Sequence, residues 1–260
     1  MGTPTRDAWA KLGRWTPARI ALGRTGASLP TGEVLKFALA HARARDAVHA
    51  GFEPDLIAQG LAGLGLETIA AASEATERAL YLRRPDFGRR LSSHSRADLE
   101  RRAEGTVDLA LVIGDGLSAA AVHAHAVPLV AALLPHVRSL QLSLAPVAIA
   151  RGARVALGDE IGALLHARMV AMLIGERPGL SSPGSLGVYL TFAPKPGRSD
   201  AERNCLSNVR AEGLGYELAA YKLAWLAREA LRRSLTGVAL KDESDLALGR
   251  DSATAILERS

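Results

Sequence analysis

Arg168-Met169-Val170-Ala171-Met172-Leu173-Ile174-Gly175-Glu176-Arg177-Pro178-Gly179-Leu180 is an apolar run cut short by a charged, glycine- and proline-rich turn. A strand buried on both faces of a parallel sheet reads this way where its carboxyl end opens into a loop. Open α/β sheets bind ligands in the crevice outside those strand ends. Pro178 and Gly179 stop the strand, and Glu176 and Arg177 set opposite charges at its lip. The lip is therefore the first place to expect a ligand.

The same grammar extends in both directions. Upstream, Leu109-Ala110-Leu111-Val112-Ile113 reads as a second buried strand, followed at once by Gly114-Asp115-Gly116-Leu117-Ser118-Ala119 and an alanine-rich helix. The spacing fits G-x-G-x-x-A, whose glycines allow a tight turn and close approach of a phosphate to a helix N-terminus. No acidic residue lies between Asp115 and Asp159, so the ribose-binding carboxylate of a dinucleotide site is missing. The segment reads as a tight strand-to-helix turn, with a nucleotide-binding module as the alternative. Pro128 is expected to break or kink the helical stretch 117–136. A strand within 140–149, an extended piece over Gly152-Ala153-Arg154-Val155 and a short helix from Glu160 to Arg168 lead into the opening stretch. Downstream come a strand over Leu186–Phe192, a polar loop at Arg203-Asn204-Cys205-Leu206-Ser207-Asn208, and a helix over 214–233 with Ala219, Leu223, Leu226, Ala227 and Ala230 on one face.

These readings describe a doubly wound α/β domain over residues 105–242. Before it, residues 1–104 divide into an irregular arm to Pro30 and a helical region: a helix over 32–50, a second from Pro54 that glycines divide or shorten, and charged helical residues at 96–104. The segment 81–91 is an arginine-rich turn punctuated by Pro85 and Gly88, either a solvated face or an anion or subunit contact. Residues 243–260 are a charged tail, a loose helix or disordered.

Composition narrows the function. With 260 residues and 48% hydrophobic content, the chain buries a large core or two modest ones. The net charge of +5 comes mostly from arginine, yet aromatic residues are only 4% and no basic run carries stacking rings, which argues against nucleic acid. Arginine also suits bidentate ion pairs at a subunit interface. The uncharged stretch Gly116–Val137 is interrupted by three histidines and two prolines, so no membrane span is expected. The N-terminus, interrupted by Asp7 and Lys11, has no apolar core of signal-peptide type, and a cytoplasmic protein is expected. A single cysteine, Cys205, rules out an internal disulfide framework and a cysteine-cluster metal site. His123 and His125 lack zinc-ligand spacing, and neither a phosphate loop nor a G-x-S-x-G elbow occurs. No self-contained catalytic constellation is present, which points to a chain that holds a ligand rather than transforms it.

Five sets of residues then carry a resemblance. Arg19 with Gly23-Arg24-x-Gly26, Tyr81-Leu82-x-Arg84-Pro85-Asp86-x-Gly88-Arg89-Arg90-Leu91, Val112-Ile113-x-Asp115-Gly116-Leu117-Ser118, Gly175-Glu176-Arg177-Pro178-Gly179-Leu180 and Arg203-x-Cys205-x-Ser207-Asn208 occur in this order. Together they resemble the small (light) subunit of ethanolamine ammonia-lyase over about residues 14–242 of the chain.

The resemblance implies a Rossmann-like domain with a helical N-terminal part, acting in an adenosylcobalamin-dependent lyase that converts ethanolamine to acetaldehyde and ammonia by a radical route. It implies a hetero-oligomer with a TIM-barrel large subunit that binds the substrate, with cobalamin between the two, free in the cytoplasm or inside a bacterial microcompartment. Three cofactor contacts carry over: Val155, Glu176 and Cys205. Taken alone, Val155 also reads as core, Cys205 as a small buried hydrophobe, and Glu176 as a solvated charge or a partner of Arg177. No Asp is followed two residues later by His, so the D-x-H-x-x-G signature of histidine-ligated cobalamin is absent and the cofactor is expected to keep its own benzimidazole.

Overall fold

In the computed structural model, residues 5, 7–16, 18–103, 105–182 and 184–248 are described. The chain runs α1 (Thr31–His49), α2 (Pro54–Ala62), β1 (Thr68–Ala72), α3 (Arg78–Arg83), α4 (Ser93–Arg102), β2 (Val107–Gly114), α5 (Ala119–Ser139), β3 (Val147–Arg151), α6 (Leu157–Leu164), β4 (Ala167–Gly175), β5 (Leu186–Phe192), β6 (Arg203–Val209) and α7 (Tyr216–Arg233). Of the expected tail 243–260, residues 244–248 are helical and those from 249 onward lie outside the described residues.

The apolar run that opened the reading is β4, at the centre of a six-stranded sheet ordered β1-β3-β2-β4-β5-β6. Strands β1, β3, β2 and β4 are parallel, whereas β5 runs antiparallel to β4 and β6 antiparallel to β5. Of the expected Rossmann-like, doubly wound α/β domain, the structure shows a six-stranded mixed sheet covered by helices. The connections 176–185 and 193–202 are too short for the helical crossover that a parallel neighbour requires, so the chain turns back as hairpins. The strand order also departs from a Rossmann sheet, because the outermost parallel strand comes first in sequence.

Alternation along the central strands explains the layers. Leu109, Leu111 and Ile113 of β2 pack on α2, α5 and α7, while Ala110 and Val112 face a second cluster with Leu99 of α4 and Leu157 and Ile161 of α6. Both faces of β2 and β4 are therefore covered, which is why those strands carry no charge in their interiors.

Several local readings change. Strand β1 lies within residues 1–104, so this region supplies a sheet edge as well as helices. The polar loop at 203–208 is edge strand β6, its turn-forming residues overridden by pairing with β5. Residues 152–155 are a turn, not an extended piece: Gly152 adopts φ 65, and Gly158 N–H donates to the Val155 carbonyl at 3.0 Å. Helix α5 passes unbroken through Pro128 and Pro135, its ten buried residues holding it against the sheet and α7. It alone among the described helices is long and apolar enough to cross a membrane, yet its apolar face is the core.

Candidate cofactor cleft

The end of β4 is built on glycines. Gly116 adopts φ 57, and a Cβ there would lie 2.3 Å from the Gly175 carbonyl oxygen; a Cβ on Gly175 would lie 2.1 Å from that of Ser118. The turn after β2 therefore packs directly on the end of β4. Its donors are spent inside the chain: Gly116 N–H donates to Asp115 Oδ1 at 3.0 Å, Leu117 N–H to the Gly175 carbonyl at 2.9 Å, and Ala121 N–H to the Ser118 hydroxyl at 3.2 Å. A phosphate at this G-x-G-x-x-A turn would lack those donors, so the glycines here serve close packing.

Asp115 ties the floor together. Its Oδ1 also accepts from Ala153 N–H at 2.8 Å, and Oδ2 faces Arg78 at 3.7 Å. Burial pushes its carboxyl above the ordinary range, against the pull of those donors. Arg78 donates to the carbonyls of Gly116 at 2.7 Å and Val48 at 2.8 Å, which fixes the end of α1 to the site. Tyr81 lies between two guanidinium groups, Arg154 at 4.1 Å and Arg78 at 4.8 Å from its ring centre. Its hydroxyl donates to the Ala153 carbonyl at 3.1 Å, and burial raises its pKa to about 12. Gly88 completes this corner, because a Cβ there would meet Arg154 Cγ at 2.8 Å.

Above this floor opens a cleft of about 460 Å³, walled by Tyr81, Leu117, Arg154, Val155, Glu176, Arg177, Tyr189 and Ser207. It lies outside the carboxyl end of β4, where the sequence directed attention. Glu176, the first residue past the strand, is half-buried and locked. Its Oε2 accepts from the Ser185 hydroxyl at 2.6 Å and from Asn208 N–H at 3.0 Å, and its Oε1 from the Ser207 hydroxyl. A carboxylate has about four acceptor positions, so one remains on Oε1. Arg177 stands exposed at the rim, and Glu176 bonds across to β6 rather than pairing with it.

Val155 borders the cleft from the turn before α6. Cys205 sits opposite Tyr189 in the β5–β6 register, so it flanks the cleft through that ring. The residue is exposed, but its thiol is crowded by neighbouring protein, which pushes its pKa up, while a hydrogen bond with Tyr189 pulls it down. Of the three sequence-derived contacts, two therefore line the cleft and the third adjoins it. Tyr81, Arg154 and Tyr189 were not singled out as site residues. Tyr81 lies inside one of the five motifs and Arg154 in the stretch Gly152-Ala153-Arg154-Val155 read as extended; Tyr189 is a polar-tipped residue of a mostly apolar strand, with no further signal.

A second cleft, of about 790 Å³, shares Arg154 and Val155 with the first and opens toward α4 and the β5–β6 connection. One of its walls is anchored by Arg203, which pairs with Asp159 in α6, both side chains 2% exposed. Its Nη1 also donates to Asp200 at 2.9 Å. Burial outweighs the guanidinium in setting the Asp159 carboxyl, which is raised. His123 and His125 are satisfied locally: His123 Nε2 accepts from Glu53 N–H at 2.9 Å and His125 Nδ1 meets the Tyr216 hydroxyl at 2.8 Å. Among the described residues, no group of three metal-ligating side chains occurs.

Comparison with known proteins gives one consistent result. The family model for the ethanolamine ammonia-lyase light chain (EutC) matches residues 6–241. The ethanolamine ammonia-lyase small subunit of Bradyrhizobium diazoefficiens is 60% identical over 242 residues, covering 93% of this chain and 91% of its own. Those of Xanthomonas campestris pv. campestris and Rhodopseudomonas palustris are 53% and 55% identical over 99% of this chain, with 96% and 97% of their own lengths covered. With a family match across nearly the whole chain and relatives this similar, the chain belongs to the light-chain family of ethanolamine ammonia-lyase, a carbon–nitrogen lyase.

Proposed function

We propose that this chain is the small subunit of an adenosylcobalamin-dependent ethanolamine ammonia-lyase, and that the cleft at the end of β4 holds the cofactor against a larger TIM-barrel subunit that binds the substrate. The observation that carries the reading is the meeting of Val155 and Glu176 in one cleft, with Cys205 at its flank, in a chain of this family. The donors present fit the group. The remaining acceptor on Glu176 suits a peripheral amide N–H, and Arg154 Nε, buried without a hydrogen-bond partner, is a donor still to be matched.

When bound, adenosylcobalamin supplies the radical chemistry by which ethanolamine becomes acetaldehyde and ammonia. This chain's residues bind and orient. Glu176, held in place by three donors, presents its free acceptor position to an amide or hydroxyl of the cofactor. Val155 would offer apolar surface to the cofactor's nucleotide tail. Cys205 and Tyr189 close the flank. No residue of this chain acts on the substrate in this reading, which agrees with the absence of a nucleophile–base pair in the sequence. Residues 105–242, joined by β1, form the α/β cofactor domain, and the assembly works in the cytoplasm, free or within a microcompartment.

The test is ethanolamine deamination with adenosylcobalamin by a large subunit of the family, alone and mixed with this chain. Activity that appears only in the mixture supports the proposal; equal activity in both removes it.

A further inference from the structure

The second cleft carries an imbalance of charge. Six arginines line it, Arg89, Arg90, Arg96, Arg154, Arg198 and Arg203, against two carboxylates, Glu160 and Asp200. Four of the six are neutralised locally: Arg90 by Glu74 at 3.0 Å, Arg96 by Glu160, Arg198 by Glu202, and Arg203 by Asp159 and Asp200. Arg89 and Arg154 have no carboxylate partner among the described residues. They are brought together by the backbone, since Arg154 N–H donates to the carbonyl of Gly88, the residue before Arg89, at 2.8 Å.

Arg154 is the more constrained of the two. Its Nη2 reaches only the Tyr81 carbonyl, at 3.1 Å, and its Nε, shielded from solvent, has no acceptor. Buried polar groups are nearly always paired, so an orphaned guanidinium nitrogen marks a position where an acceptor is missing. Guanidinium groups match phosphate oxygens in charge and geometry. Arg154 also borders both clefts, as does Val155 next to it.

We propose that Arg154 and Arg89 form the subsite for the phosphodiester of the cofactor's nucleotide tail, so that the small subunit selects a corrinoid carrying that tail over one without it. This rests on the cobalamin reading above: if the tail lies on Val155, its one anionic group falls beside the two unneutralised arginines.

The experiment compares cobalamin with cobinamide, which has the corrin ring and amides but no nucleotide tail. Binding of each to the reconstituted large–small complex is measured by equilibrium dialysis, read by visible absorbance. Arg89→Gln is the primary variant because Arg89 is exposed and unpaired; Arg154→Gln is the second, with circular dichroism and co-elution of the subunits confirming assembly. The expected result is an affinity for cobalamin lowered about tenfold in each variant, the loss of a charge-assisted hydrogen bond, with cobinamide binding unchanged. Equal weakening of both corrinoids, or unchanged cobalamin affinity, overturns the proposal. So does loss of subunit co-elution with the corrinoid preference intact, which would assign the arginines to an acidic segment of the partner. A wild-type complex that binds neither corrinoid would overturn the cobalamin reading itself.

Discussion

Replacing Glu176 with alanine removes three accepted hydrogen bonds at once, and the cost follows from where each donor lies. Ser185 is buried, so its hydroxyl loses a charged acceptor with no water to replace it, a loss of about 2 kcal/mol. Ser207 and Asn208 are exposed, and water takes over much of their bonding, for roughly 0.5 kcal/mol each. The sum is about 3 kcal/mol, and at about 2–4 °C of melting temperature per kcal/mol for a chain of this size the midpoint falls by roughly 6–12 °C. Glu176→Gln keeps one oxygen but turns the other acceptor into a donor, so its loss falls between alanine and wild type. Thermal unfolding of the full chain, followed by circular dichroism, measures both. An unchanged midpoint for Glu176→Ala would refute the reasoning, since the carboxylate would not then be joining the end of β4 to β6. The prediction bears on function, because a Glu176 variant loses a structural tie as well as the proposed cofactor contact. Ser207→Ala, which gives up one exposed bond, is the milder probe of the same cleft.

Asp159→Ala strips Arg203 of its buried partner and is expected to cost about 3–5 kcal/mol, lessened by Asp200; urea titration measures it, and a change below about 1 kcal/mol would contradict a buried pair. Tyr81 has its pKa raised from 10.0 to about 12, so between those values the folded chain keeps a proton that the unfolded chain has lost. Its contribution is whole below pH 10 and fades as pH rises toward 12, by about 2–3 kcal/mol for two units. Tyr81→Phe should flatten that alkaline decline in urea titrations across pH without abolishing it, because burial also raises Tyr189; an identical slope would contradict the assignment. Gly116→Ala combines left-handed backbone strain with overlap on Gly175, roughly 2–5 kcal/mol. Gly65→Ala, at φ 77 with nothing within 4 Å, incurs strain alone, and equal midpoints for the two variants would show that the overlap is relieved.

The sequence was most legible where composition and burial agreed. Met169–Ile174 is apolar because β4 is covered on both faces, and Leu186–Phe192 is bounded by residues that cannot continue a strand, so both were placed correctly. Strand β1 was missed because Thr68-Ile69-Ala70-Ala71-Ala72 is short and alanine-rich; it becomes a strand only by pairing with β3. Strand β6 was read as a loop because an edge strand keeps polar residues facing outward, and the antiparallel turn-back was invisible for the same reason: pairing partners are not written locally. Pro128 was weighted as a breaker, but the buried face of α5 outweighs the lost backbone bond.

At the site, the position of Glu176 at a strand end could be read from Gly-Glu-Arg-Pro-Gly alone. Its three donors could not, because Ser185, Ser207 and Asn208 come from separate segments that meet only in the folded sheet. The proposed cofactor contacts came through the resemblance: nothing in the spacing of Val155, Glu176 and Cys205 suggests that two line one cleft and the third adjoins it.

The central claim is that this cleft, completed by a larger subunit, is where the cofactor sits. A cryo-electron microscopy map of the chain reconstituted with the large subunit and cobalamin tests it most directly. The account predicts corrinoid density between the subunits, touching Val155 and Glu176 with Cys205 at its edge. Density confined to the large subunit, with the end of β4 facing solvent, would contradict it.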